Sequence, residues 1–207
     1  MGFYLQPAVG GRALPERFWR GLAEVPNLAG IKIAAFDRYS TLEVVRAVAE
    51  SGRGQDIALY TGNDDSILTD LLTQYRIRTA AGPVTIGMVG GLLGHWAYWT
   101  RRAAEQLEEC RRARAAGQLP GDLLTLAAQV TEANEAVFDP GNAFRGCISG
   151  ILYVLTRSGL LAGVYPLGAG EALSPGQARK IGRIIEGYPH LIDHDFVRQN
   201  LEEGLRP

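Results

Sequence analysis

Leu28-Ala29-Gly30-Ile31-Lys32-Ile33-Ala34-Ala35-Phe36-Asp37 is an apolar run interrupted by a single cation. Pro26-Asn27 precedes it and Asp37-Arg38 follows, so it reads as a buried strand punctuated at both ends. The chain has 21 basic residues, and only Lys32 and Lys180 among them are lysines. Wherever a plain positive charge serves, arginine is used, and Lys32 stands out as chosen. Taking an ammonium out of water costs several kcal/mol unless it is paired, and the usual escape is a depressed pKa. A lysine neutralised in this way attacks carbonyl carbons. The competing reading is a strand-end lysine that reaches water or pairs with Asp64 or Asp65.

The run has counterparts on either side. Phe3-Tyr4-Leu5 is a short strand ended by Pro7, Asp56-Ile57-Ala58-Leu59-Tyr60-Thr61 is another, and Val84-Thr85-Ile86-Gly87-Met88-Val89 is a fourth, closing at Gly90-Gly91. Amphipathic helices fill the intervals. One runs from about Leu14 to Val25 with Pro15 in its first turn. A second is capped by Ser40 or Thr41 and carries Leu42, Val45, Val48 and Ala49 on one face. A third is capped by Asp65 or Ser66 and carries Ile67, Leu68, Leu71, Leu72 and Tyr75. The strand ends at Tyr4, Lys32, Thr61 and Met88 recur at nearly equal spacing, the mark of successive βαβ units and a parallel sheet. Polar or glycine-rich strand tips suit a (β/α) barrel, which places its chemistry at that face. A doubly wound sheet is the alternative, and no GxGxxG turn joins any strand to its helix.

Beyond Gly91 the pattern is helical: about Leu92 to Ala116, about Asp122 to Phe138, Asn142 to Leu161, a loop from Pro166 to Pro175, and a last helix starting near Gln177. The expected division is a partial barrel with its last long helix over residues 1–116 and a C-terminal helical region over 117–207. Hydrophobic content of 46%, charged content of 21% and a net charge of -1 describe an ordinary globular protein with no electrostatic footprint for nucleic acid or a membrane surface. There is no long apolar span and no leader-like N-terminus, so a cytoplasmic protein is expected. Cys110 and Cys147 lack the spacing of a disulfide framework or metal site. His190 and His194 have a helical i, i+4 spacing but no glutamate in an HExxH arrangement, and His95 sits among aromatics, so neither metal nor cofactor is expected.

In a barrel the four strand tips would face one another. They would bring together Tyr4, Lys32, the Gly62-Asn63-Asp64 loop and the backbone around Gly90-Gly91. A phenol beside an amine suits the proton transfers of imine chemistry. The plainer alternatives are a strand-end aromatic for Tyr4 and turn and cap chemistry for Asn63-Asp64-Asp65.

Tyr4-x-x-Pro7, Gly30-Ile31-Lys32 and Thr61-Gly62-Asn63-Asp64, in that order and spacing, resemble the second half of the dihydrodipicolinate synthase and N-acetylneuraminate lyase family. Ser158 to Gly163 with Tyr165-Pro166-Leu167 is similar to that family's C-terminal helical region. The resemblance implies the C-terminal half of a (β/α)8 TIM barrel, about four βα units, followed by a helical extension. It implies a class I aldolase in which Lys32 forms a Schiff base with a 2-oxo acid such as pyruvate, Tyr4 is the acid/base group, and Gly62, Asn63, Asp64, Gly90 and Gly91 hold the substrate. Val9 stands where the synthase branch has an arginine for its second substrate, which argues against the lysine-pathway reaction. Half a barrel leaves two parallel edges and an open apolar interior. A homo-oligomer or a complementing N-terminal half would close it, and a non-catalytic half-barrel that serves in assembly is the rival expectation.

Overall fold

The computed structural model describes residues 1–168 and 170–204. Ala169, in the expected Pro166–Pro175 loop, lies outside them, as do the last three residues of the expected 117–207 region. The described residues cluster into two compact units, Met1–Gly94 with Gln106–Ala127, and His95–Glu105 with the chain from Ala128 on.

The first unit is built on a five-stranded sheet of β1 (Gly2–Leu5), β2 (Gly30–Ala34), β3 (Ala58–Thr61), β4 (Gln74–Thr79) and β5 (Gly82–Gly91), in the order β1-β2-β3-β5-β4. β1, β2, β3 and β5 are parallel, and β4 pairs with β5 antiparallel. Helices α1 (Glu16–Ala23), α2 (Arg38–Glu50) and α3 (Ile67–Leu72) make the crossovers. The four parallel strands follow one another without reversal, consistent with an arc of a (β/α) barrel, whereas a doubly wound sheet reverses its order at a switch point.

The alternation of side chains along each strand gives the sheet two unlike faces. One is dry: Tyr4, Ile31, Ile33, Leu59, Thr61 and Met88 are all buried. Tyr4 packs on Trp19 of α1 with ring centroids 4.7 Å apart. A Cβ at Gly2 would lie 2.8 Å from Leu22 of α1, and one at Gly91 would lie 3.1 Å from Ile67 of α3, so both glycines also belong to the helix-covered face. The other face carries Phe3, Lys32 and Tyr60 in register across β1, β2 and β3. It is more open, with Phe3 50% exposed and Lys32 and Tyr60 half-buried.

Several local expectations change. The third helix ends at Leu72 rather than including Tyr75. From Gln74 the pattern becomes alternating, with Tyr75 and Ile77 buried and Gln74, Arg76 and Arg78 exposed, and Gly82 at φ +120° lets the chain turn into β5. Helix α2 starts at Arg38 and is capped by Asp37, whose carboxylate accepts the Ser40 N–H at 2.7 Å, rather than by Ser40 or Thr41. Helix α4 (Thr100–Ala116) begins later than Leu92 because β5 runs on to Gly91 and a 3-10 turn follows at Gly94–Ala97. Arg114 near its end donates to the Met88 carbonyl at 2.8 Å, and its guanidinium fills the space that a side chain at Gly87 would need.

Helices α4 and α5 (Gly121–Phe138) each contribute to both units. The second unit adds α6 (Cys147–Arg157), α7 (Gln177–Gly187) and α8 (His194–Gly204). Asp193 takes the Arg101 and Arg102 N–H groups at 2.8 and 3.0 Å, which caps the start of α4. The buried Gln177 amide donates to the Val137 and Gly146 carbonyls at 3.0 and 3.1 Å. Among the described residues no helix is long and apolar enough to cross a membrane, and no three His, Cys, Asp or Glu side chains converge as a metal site. His190 lies in a 3-10 turn within 2.8 Å of Gln129, while His194 opens α8.

Candidate active site around Lys32

Lys32 sits in the middle of β2, paired with Phe3 on one side and Tyr60 on the other. Paired positions of parallel strands point to the same face, which is why these two aromatics flank the amine. Its Nζ lies 4.9 Å from the centroid of the Phe3 ring, a cation–π contact. Its stem crosses Gly62, where an added Cβ would stand 2.8 Å from Lys32 Cε, 2.9 Å from Ala34 Cβ and 3.0 Å from the Leu92 carbonyl oxygen. Gly62 therefore makes room for the lysine side chain. Gly62→Ala is expected to displace that stem and cost about 1–3 kcal/mol of stability through overpacking, with slower reaction of Lys32 towards an amine-selective reagent. Equilibrium urea unfolding and the labelling rate check the two parts.

Beyond Gly62, the carboxylate of Asp64 accepts the Gly94 N–H at 2.8 Å. Lys32 and Asp64 act on each other electrostatically. Partial burial lowers the Lys32 pKa, and the charge of Asp64 opposes that fall. Burial pushes Asp64 up from 3.8 to about 7, against the pull of the Gly94 N–H and of Lys32. Both shifts favour the neutral forms, as burial of ionisable groups does. The folded protein holds the Asp64 proton up to about pH 7, while the unfolded chain releases it near 4, so folding loses stability as pH rises between those values. Asp64→Asn removes that slope. The rise limits the effect to about 4 kcal/mol, and water at the half-buried carboxylate reduces it to about 1–2 kcal/mol. Thermal melts should show the variant more stable than the parent at about pH 8 and equal to it at about pH 4.

Asn63 has a different task. Its side-chain oxygen accepts the Phe36 N–H at 3.0 Å, and its Nδ2 donates to Thr41 Oγ1 at 3.1 Å and Asp70 Oδ2 at 2.9 Å. Phe36 is a bulky residue at φ +50°, a costly left-handed conformation, and only Ala35 separates it from the strand that carries Lys32. Asn63 thus ties the tip of β2 to that of β3. Asp70 completes this buried cluster. It accepts from Thr61 at 2.6 Å and from Tyr75 at 3.0 Å, and it pairs with Arg38.

Tyr4 lies apart from Lys32. It pairs with Ile33, one position past Lys32, and its ring lies against Trp19 on the helix-covered face. The phenol and the amine are on opposite faces of the sheet. Gly90, by contrast, pairs with Tyr60 on the Lys32 side, and a Cβ there would meet the Tyr60 ring at 2.7 Å. Gly91 faces α3 with Thr61. The fold therefore gathers Lys32, Gly62, Asp64 and Gly90, adds Phe3 and Tyr60, and turns Tyr4, the Asn63 amide and Gly91 elsewhere.

No protein-family model matches this chain, and no curated protein does. Among solved structures it is similar to the Sulfolobus sulfataricus 2-keto-3-deoxygluconate (KDG) aldolase in complex with D-KDPG, at 17% identity and a TM-score of 0.60. The likeness covers 90% of this chain and 53% of the aldolase, so the chain spans about half the length of that protein. At this identity the likeness shows a shared fold.

Proposed function

We propose that this chain carries the imine-forming lysine of a class I aldolase-type lyase or synthase. Lys32 attacks the C2 carbonyl of a 2-oxo acid such as pyruvate, the carbinolamine loses water, and the resulting iminium draws electrons from C3. The observation that carries this reading is the placement of Lys32. It is one of two lysines in the chain, half-buried on the open face of a parallel sheet, with its pKa lowered by that burial. Neutral amine is the nucleophile, and the shift increases its share near neutral pH. The fold likeness to an aldolase supports the same chemistry.

In this reading Gly62 makes room for the Lys32 stem and Gly90 for the Tyr60 ring, and the Gly91 backbone lies at the edge of the site that receives a small acid. Asn63 holds the loop that presents Asp64. The half-exposed aromatics Phe3 and Tyr60 belong to the interior of a half-barrel, which a second copy of the chain or a complementing N-terminal half completes. The exposure of Phe3 and the turning away of Tyr4 also favour a second reading, a non-catalytic half-barrel that serves in assembly.

Pyruvate release from 2-keto-3-deoxy sugar acids, measured across size-separated fractions of the protein, tells the two apart. The aldolase reading predicts release in an assembled fraction and its loss in Lys32→Ala. Folded protein that assembles and releases nothing supports the non-catalytic reading.

A further inference from the structure

We infer that Phe3 sets the substrate preference at Lys32, and that the 2-oxo acid taken there carries an apolar chain in place of the hydroxyls of a sugar acid. The inference rests on the reading of Lys32 as the imine-forming residue and names the substrate class of that same site. It starts from what borders the amine. The Phe3 ring centroid lies 4.9 Å from Lys32 Nζ, and Phe3 is half-exposed, so an aromatic surface stands beside the reacting nitrogen within reach of a ligand.

The strand register extends this surface. Phe3 and Leu5 pair with Lys32 and Ala34, and Lys32 pairs with Tyr60, which shares its face with Ala58 two positions earlier. Among these positions Lys32 is the one charged residue, and the Tyr60 hydroxyl is the one other polar side-chain group. Past the end of β3, Asn63 is engaged with Phe36, Thr41 and Asp70, and Asp64 holds the Gly94 N–H. The strands around the amine therefore present hydrocarbon and few partners for hydroxyl groups.

The bond that forms at Lys32 places the substrate chain against this surface. Nζ bonds C2 of the 2-oxo acid, the C2 oxygen leaves as water, and the iminium nitrogen keeps its positive charge beside the Phe3 ring. C3 and the carbons after it then extend from a nitrogen that the ring borders. Methylene and methyl groups gain by leaving water for that ring, whereas hydroxyl groups lose water and find few replacements. Sugar acids still react on this account, and less well than apolar acids.

The test uses 2-oxohexanoate and 2-keto-3-deoxygluconate, which share a carbon chain and differ in their hydroxyl groups. Both are offered at equal concentration with borohydride, which adds hydride to C2 of the iminium, and adducts are counted on the Lys32 peptide by mass spectrometry. Pyruvate adducts that follow cleavage of the sugar acid count with it. Dividing the ratio by that of a free alkylamine cancels the intrinsic reactivity of each acid. Wild-type protein should favour 2-oxohexanoate by about tenfold. Phe3→Ser should bring the ratio within about twofold of the free amine, and Phe3→Leu, which restores an apolar side chain, should keep at least about half of the preference. Phe3→Thr replaces Phe3→Ser if that variant does not fold. A wild-type ratio equal to that of the free amine, or a preference that survives loss of the Phe3 ring to Ser or Thr, overturns the inference and leaves the imine in place. A folded wild type that forms no adduct on Lys32 with these acids or with pyruvate overturns the reading of Lys32 itself, and the inference with it.

Discussion

Asp70→Ala should destabilise the sheet-bearing unit by about 2–4 kcal/mol, the cost of leaving buried donors without their acceptor. The Asp70 side chain is wholly buried and is held by Arg38, Thr61, Asn63 and Tyr75. These donors come from the start of α2, the end of β3, the loop after it and β4, so one carboxylate joins four segments. Removing it takes the acceptor from the Thr61 and Tyr75 hydroxyls and from one Asn63 N–H, while Arg38 keeps Ser66 and Tyr75, and Asn63 loses one of the contacts that hold the Phe36 turn. Asp70→Asn keeps the shape but turns an NH2 group towards donors, so it should recover part of the loss only. Urea unfolding followed by tryptophan fluorescence checks the order of stability: wild type, then Asn, then Ala.

Lys32→Ala should abolish reductive trapping of 2-oxo acids while changing stability by no more than about 1 kcal/mol. The amine has a cation–π contact with Phe3 and a long-range partner in Asp64, and neither anchors the core. Lys32→Arg separates charge from chemistry: a guanidinium keeps the cation beside Asp64 but forms no imine, and it too should leave no adduct. Borohydride with pyruvate, read by intact mass, reports both variants, and circular dichroism confirms that they fold.

Much of the parallel sheet is legible from the sequence because its strands are continuous apolar runs and its helices keep a 3.6-residue stripe. β4 is not. Tyr75 falls where a helix stripe through Leu71 and Leu72 would place it, and the Gly82 turn lacks the Asn-Gly signature of a tight hairpin. α8 is not legible either, because Pro189 interrupts the helical pattern that starts near Gln177. At the site, Lys32 is legible from its scarcity and setting. The face that Tyr4 takes is not legible, since a shift of one residue in register moves a side chain to the other face of a sheet, and register is a tertiary property. Within Asn63-Asp64 the residues carry no mark of which ties the strand tips together and which takes the Gly94 N–H. Only the partners Phe36, Thr41 and Asp70 on one, and Gly94 on the other, separate them. Phe3 and Tyr60 go unnoticed for the same reason, and strand pairing with Lys32 identifies both.

The most direct measurement is peptide mapping of wild-type protein reduced with borohydride in the presence of pyruvate. The two lysines and the amino terminus are its principal imine-forming amines, which makes the map easy to read. The account predicts a pyruvate-sized adduct on Lys32 and none on Lys180. A folded sample that gives no adduct with any of a panel of 2-oxo acids, or one modified on Lys180 alone, contradicts it.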